Sequence, residues 1–294
     1  MKKIGISCKA ILKRYGLWGG MELIKNCGFD AIDFSCEECR LGDEIYGGSE
    51  DAFYSYFDEV KRAAAHFELE ISQTHGRCAT FIKDDPKHNE RVLKVSELDI
   101  KSTAAVGAPA CVIHFPNSTR NGKISPTEMH ELSYSLYSSL IPTAEKYGVK
   151  IALETFGAAR ISGDRVRDFF ACPNEFKKQY DMLKTDMKTI CVDTGHTHEA
   201  ESFWVPPPEE MIRILGSDIS LLHLHDNSGH WDDHLLPGLG NINWPAVFDA
   251  LDEVGYSGVY NFELVQKMGI MTDQFLEFTG KYLREFIDRH GNIK

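Results

Sequence analysis

The chain predicts a single (β/α)8 (TIM) barrel, and three observations carry the prediction. Eight short apolar runs alternate with longer amphipathic stretches along 294 residues, a length that suits a barrel of about 250 residues with modest insertions. Several of the amphipathic stretches close on the same glycine punctuation. The first apolar run leads into Cys8-Lys9-Ala10-Ile11-Leu12, with no glycine-rich phosphate loop, which disfavours the doubly wound open sheet that is the main alternative. No linker or low-complexity segment interrupts the pattern, so residues 1–294 are expected to form one domain.

The strands are expected at Ile4–Ser7, Ala31–Phe34, Glu70–His75, Ala110–His114, Lys150–Glu154, Thr189–Asp193, Leu221–His225 and Gly258–Glu263. All are short and rich in β-branched or aromatic residues, as strands buried on both faces should be. Helical patterns lie between them, among them Ala52–Phe67, His88–Val106, Pro126–Tyr147 and Trp244–Val254. Gly28, Gly107, Gly148 and Gly255 follow helical stretches and precede strands, the place for a left-handed C-cap. Ala200 to Pro208, with its three prolines, reads as a long loop after the sixth strand.

Composition narrows the function classes. The net charge is −12 and no dense Lys/Arg cluster appears, which argues against nucleic acid, whose binding needs a basic surface. No apolar run approaches the roughly 20 residues of a membrane span. The start, Met1-Lys2-Lys3-Ile4-Gly5-Ile6-Ser7-Cys8-Lys9, is basic, but polar residues break it before an apolar signal core can form, so a cytoplasmic location is expected. Eight cysteines are dispersed through the chain and read as reduced core or loop residues. Cys36-Glu37-Glu38-Cys39 has redox or zinc spacing, but no second pair lies near it.

One regularity points to chemistry: the ionisable residues of the strands sit at their C-terminal ends. These are His75, His114, Glu154, Asp193 with His196 just beyond, His223 with His225 and Asp226, and Glu263. In a barrel those ends converge on one mouth, where barrel active sites lie. Taken singly, each has an ordinary structural explanation: a strand-end histidine is more often a hydrogen-bonded core residue than a ligand, and a strand-end glutamate often pairs with a lysine or arginine. Such explanations would have to hold independently on at least six strands, none of which supplies a cation at its own end. A charge after a buried apolar run is costly unless paired or metal-bound, so a divalent metal is expected. The oxygen-rich set suits Mn²⁺, Zn²⁺, Co²⁺ or Mg²⁺.

The motifs Ile151-Ala152-Leu153-Glu154, Val192-Asp193-Thr194-Gly195-His196, Leu222-His223-Leu224-His225-Asp226-Asn227, Asp232-Asp233-His234, Pro237-Gly238-Leu239-Gly240, Ile242-Asn243-Trp244 and Asn261-Phe262-Glu263 follow in that order. With them the chain resembles the xylose isomerase-like barrel superfamily, which includes sugar isomerases and epimerases, inosose dehydratases and endonuclease IV. The resemblance implies that Glu154, Asp193, His223 and Glu263 hold one metal. His223 is preferred to His225 because the family ligand lies three residues before the acid that ends the motif, here Asp226. The resemblance to endonuclease IV adds His75 and His114, and then His196, Asp232 and His234, as ligands of a second and third metal. In single-metal sugar enzymes, similar histidines hold substrate hydroxyls instead.

The leading expectation is a metal-dependent isomerase or epimerase of a sugar or related polyol-ketone. Glu154 and Glu263 would move the proton through an enediolate, while His75, His114, His196 and His225 contact substrate oxygens. Trp18, Phe115, Phe156 and Trp231 are candidate walls, with core or lid packing an equal reading. Arg160 stands where some sugar epimerases of the family carry a second acid, which suggests an acidic or phosphorylated substrate, or else an exposed loop. The alternatives are an endonuclease IV-like phosphodiesterase, an inosose-type dehydratase and a non-catalytic metal- or sugar-binding barrel. The resemblance also implies a homo-oligomer.

Overall fold

The computed structural model describes residues 2–122, 124–264 and 271–290. Eight parallel strands, β1 (Ile4–Ser7), β2 (Ala31–Ser35), β3 (Glu70–His75), β4 (Ala110–Ile113), β5 (Lys150–Glu154), β8 (Lys188–Asp193), β9 (Ile219–His223) and β10 (Tyr260–Phe262), run in the order β10-β1-β2-β3-β4-β5-β8-β9. The two edges meet at a parallel bridge between Leu224 and Phe262. Leu224 N donates to Asn261 O at 2.8 Å and Glu263 N to Leu224 O at 3.0 Å, which closes the sheet into the expected barrel. Among the described residues no helix is long and apolar enough to cross a membrane.

The surrounding helices are α1 (Lys9–Asn26), α2 (Glu50–His66), α3 (Pro86–Val106), α4 (Ser118–Asn121), α5 (Pro126–Tyr147), α6 (Pro173–Met182), α7 (Thr194–Ala200), α8 (Pro208–Leu215), α9 (Trp244–Glu253) and α10 (Asp273–His290). Their starts follow local chemistry. Ser125 and Glu128 form a reciprocal capping box before α5, with Pro126 at the first helical position. Gly107 and Gly148 end α3 and α5 at φ of 82° and 67°, where a side chain would be strained.

Two stretches depart from the sequence reading. The segment from Ala200 to Pro208 is not one long loop: Ala200 ends α7, a 3-10 turn spans Glu201–Phe203, and Pro208 opens α8. Between β5 and α6 an antiparallel hairpin, β6 (Ala158–Ile161) and β7 (Asp164–Arg167), was not anticipated. Its signal was the Ser162-Gly163 pair. Both residues take positive φ, 54° and 93°, as a tight two-residue hairpin turn requires.

Side-chain alternation explains how the barrel builds its mouth. Ala110, Val112, Ala152, Cys191 and Leu221 form a separate small apolar cluster, while Ile113, Leu153, Val192 and Leu222, one position away, belong to the main core. Successive residues of a strand face opposite sides, so the clustered series point into the barrel. Two residues further on, those series end in His114, Glu154, Asp193 and His223. The apolar plug therefore forms the floor on which the polar ends stand.

Two register shifts aim those ends. β8 pairs with β9 as Ile190 opposite Ile219, then shifts so that Asp193 lies opposite His223. The unshifted register would set Asp193 opposite Leu222. A similar shift between Ile32 and Asp33 puts Ser35 opposite His75. Each is a one-residue irregularity that re-aims the chain.

The chain ends of the barrel are tied together by close packing. A Cβ on Gly280 of α10 would lie 1.9 Å from the Cys27 carbonyl oxygen at the end of α1, closer than any real contact. Gly280→Ala is expected to lower stability by about 1–3 kcal/mol, read as the urea midpoint. An unchanged midpoint would show that the two helices do not pack this closely.

Candidate metal centre

Four of the sequence-predicted residues meet. Glu154 ends β5, Asp193 ends β8, His223 ends β9, and Glu263 follows β10. One ligand atom from each lies within 4.8 Å of the others. His223, rather than His225, completes this quartet. Its Nδ1 is 2.5 Å from Glu154 Oε1 and 3.5 Å from Glu263 Oε2, and its Nε2 is 3.1 Å from Asp33 Oδ2. With Nε2–H donating to Asp33, the Nδ1 lone pair faces the carboxylates, which is the orientation that an outer carboxylate gives a ligating imidazole.

The electrostatics fit a cation. Every ion-pair partner of Glu154, Asp193 and Glu263 among the described residues is a histidine. Burial penalises the charged form of Glu154, yet His223 and His114 outweigh it and hold this carboxyl well below the usual range. Burial also opposes charge on His114, His196 and His223, and the acids around them still drive all three well above the usual imidazole value. Three carboxylates in a buried ring thus draw positive charge from every neighbour. Three carboxylates and one imidazole can hold a divalent ion of the Mn²⁺, Co²⁺, Zn²⁺ or Mg²⁺ type.

The quartet opens onto a cavity of about 230 Å³ lined by Glu154, Glu263, His75, His114, His196, Asp232 and His234, among others. His225 lies behind it: fully buried, it reaches Asp193 at 3.0 Å and stacks on His234 with ring centroids 4.0 Å apart. It positions Asp193 and His234 rather than facing the cavity. Its space exists because residue 195 is glycine, where a Cβ would fall 1.8 Å from the His225 ring. His196, Asp232 and His234 cluster less tightly, with Asp232 Oδ2 3.7 Å from His196 Nε2 and 3.1 Å from His234 Nε2. The grouping there that closes within 4.8 Å is His225, His234 and Glu263.

The other candidates scatter. Arg160 is on β6 with its guanidinium 3.8 Å over the Trp231 ring, and it is not among the cavity-lining residues. Phe156 flanks His114 and His196 at 5.5 and 6.1 Å. Phe115 is core, stacked on Phe170, and Trp18 packs on His66 and Phe67 of the outer helical layer and its C-cap. Cys36 and Cys39 are buried and free.

Sequence reasoning missed Asp33, Lys9, Glu37 and Cys78 of this mouth. Asp33 had a readable signal, an acid inside the apolar run Ala31-Ile32-Asp33-Phe34. Lys9 lines the cavity too, but its ammonium is paired with Glu37.

Comparison with known proteins agrees with this geometry. Residues 21–275 match the model of the xylose isomerase-like TIM barrel. The chain belongs to that family. Within this xylose isomerase-like family, an uncharacterized protein of Methanocaldococcus jannaschii is 29% identical over 269 residues, covering 89% of this chain and 83% of that protein. Inosose isomerase of Bacillus subtilis is 27% identical over 191 residues, 62% of this chain and 63% of that enzyme. Solved structures share the fold: a D-tagatose 3-epimerase-like protein at TM-score 0.75 and 23% identity, over 99% of this chain and 98% of that one. The IolI protein with a bound zinc atom follows at TM-score 0.72 and 20% identity, over 98% and 97%.

Asp226 holds the loop that carries Asp232 and His234. Fully buried, it accepts from Asn227 N at 2.9 Å, Gly238 N at 2.8 Å, Ile242 N at 3.2 Å and Trp244 Nε1 at 2.9 Å. Asp226→Ala leaves these donors without their acceptor and is expected to cost about 3 kcal/mol or more, measured as the denaturation midpoint. A wild-type midpoint would show that the loop is held by other means.

Proposed function

We propose that this chain is a metal-dependent isomerase or epimerase acting on a sugar or related polyol-ketone. The observation that carries the reading is the quartet, in which two glutamates share one ring of ligand atoms with Asp193 and His223 beside a cavity lined by histidines. The 27% identity to inosose isomerase supports the substrate class, and the zinc of the IolI protein, a fold neighbour, supports a metal at this mouth.

Glu154, Asp193, His223 and Glu263 would hold the ion. When bound, a divalent metal polarises a carbonyl and stabilises negative charge on its oxygen. The chain's own groups do the rest. Glu154, kept ionised by His223 and His114, accepts the proton from the carbon beside the substrate carbonyl, which leaves an enediolate. Glu263 returns a proton, to the opposite face of that carbon for an epimer or to the adjacent carbon for an isomer. His75, His114 and His196, which line the cavity, donate to or accept from substrate oxygens. The cavity walls limit solvent around the enediolate and so disfavour side reactions.

Turnover of a ketose and polyol panel, inososes included, tests the reading. Chelation is expected to abolish conversion and metal readdition to restore it, and reaction in D₂O should place deuterium on the carbon beside the carbonyl. Glu154→Gln and Glu263→Gln should each lower kcat about a hundredfold or more. Full turnover by Glu263→Gln would remove its role. An unsaturated or diketone product absorbing in the ultraviolet would indicate dehydration instead, and nicking of abasic DNA would indicate a phosphodiesterase.

A further inference from the structure

A second group of ligand-type side chains stands beside the quartet and includes a thiol. His75 at the end of β3, His114 just past β4, and Cys78 in the connection after β3 each bring one ligand atom within 4.8 Å of the others. Neighbouring strands supply the two imidazoles, whose ring centroids lie 5.0 Å apart. A tight turn brings the thiol back over them. Gly76 N donates to Val112 O at 2.9 Å, Ala79 N donates to Arg77 O at 2.7 Å, and Arg77 N donates to the buried Asp99 Oδ2 at 3.1 Å. The backbone bearing Cys78 is therefore pinned to α3 and β4 rather than free.

Two further observations make this a ligand site. His114 Nε2 and Glu154 Oε2 are both buried, lie 2.7 Å apart, and are not aligned in a hydrogen bond with each other or any other group. Glu154 is 1% exposed, and its other oxygen, Oε1, is the one that meets His223. One oxygen of this carboxylate thus faces the quartet and the other faces the trio. His75 is also set for ligation. Its Nδ1 lies 2.6 Å from the Gly76 carbonyl oxygen. A carbonyl only accepts, so Nδ1 carries the proton. In the neutral ring Nε2 then presents a lone pair, 3.9 Å from Glu154 Oε2, the orientation that backbone carbonyls give to metal-binding histidines.

The geometry points to a second cation site, formed by His75, Cys78 and His114 with Glu154 Oε2 as the shared fourth donor, which takes a borderline-soft divalent ion such as Zn²⁺ or Co²⁺. A thiolate with two imidazoles is a softer set than the three carboxylates and one imidazole next to it, so the two positions differ in the ions they retain. On a tetrahedral ion with bonds of roughly 2.0–2.3 Å, ligand atoms sit about 3.4–3.8 Å apart. Closing the trio from its present spread takes small side-chain rotations, and the exposed Cys78 is free to make them. Binding displaces the thiol proton. Glu37 Oε1, 3.0 Å from Cys78 Sγ, is the adjacent acceptor through which that proton reaches solvent. The site is independent of the isomerase reading, since nothing in it depends on the substrate.

Metal-stripped full-length protein is titrated with Co²⁺, bound ions are counted by elemental analysis after desalting, and the near-ultraviolet thiolate-to-cobalt charge-transfer band is followed. Two ions per chain are expected, with the band tracking one of them. Cys78→Ser, a near-isosteric change at an exposed residue, should abolish the band and one ion while keeping the other. Cys172→Ser, a control thiol outside the trio, should leave both. Asp193→Asn should weaken the quartet ion at least tenfold and keep the band. No band in wild type at saturating Co²⁺, or a band that survives Cys78→Ser, overturns the second site. If Asp193→Asn leaves both ions bound, the quartet is at fault, and the band still decides the fate of the thiolate site.

Discussion

The seam that closes the barrel lies between two members of the quartet. Leu224 and Phe262 form the bridge that joins β9 to β10, His223 immediately precedes the one, and Glu263 immediately follows the other. The hydrogen bond from Glu263 N to Leu224 O therefore serves both closure and placement. Without it the sheet would have two open edges, and two of the four ligands would stand on opposite sides of the gap. Fold and site share this constraint, so damage to the seam should be felt in both.

Closing the barrel creates an electrostatic problem that the neighbouring residues answer in part. Glu154 and Asp193 are fully desolvated, and like charges brought this close raise each other's cost. Imidazoles take up the strain: His114 and His223 on Glu154, His225 and His196 on Asp193. Asp33 then steadies His223 from behind. An imidazole balances a carboxylate only while protonated, and a divalent ion would supply the same charge while leaving the rings neutral to bind it. A mouth rich in histidine and poor in lysine and arginine is consistent with that exchange.

Packing sets the shape around these charges. Small residues make room at specific points, most clearly Gly195, whose lack of a side chain lets α7 lie against the His225 ring. Asp226 organises the chain that crosses the mouth from Asn227 to Trp244 by accepting four donors at once. The β6–β7 hairpin brings Arg160 over Trp231, so a residue that the sequence suggested for substrate charge is engaged with an aromatic ring instead.

Eight strands, their order along the chain and the clustering of acids and histidines at their ends were readable from residues alone, because strand alternation and glycine caps are local rules. All four members of the quartet were named that way, and the structure brings them together. The hairpin was missed although Ser162-Gly163 signalled it, and the loop from Ala200 to Pro208 was misread because its prolines masked the short helices on either side. Other features had no local signal. The one-residue shift that sets Asp193 opposite His223 rather than Leu222 depends on how two strands fit, not on either strand. The meeting of Cys78 with His75 and His114 depends on a turn pinned by Asp99, a residue of a distant helix. Residue type and periodicity determined which groups reach the mouth. Register and long-range packing decided which of them touch, because those contacts join segments that no local rule connects.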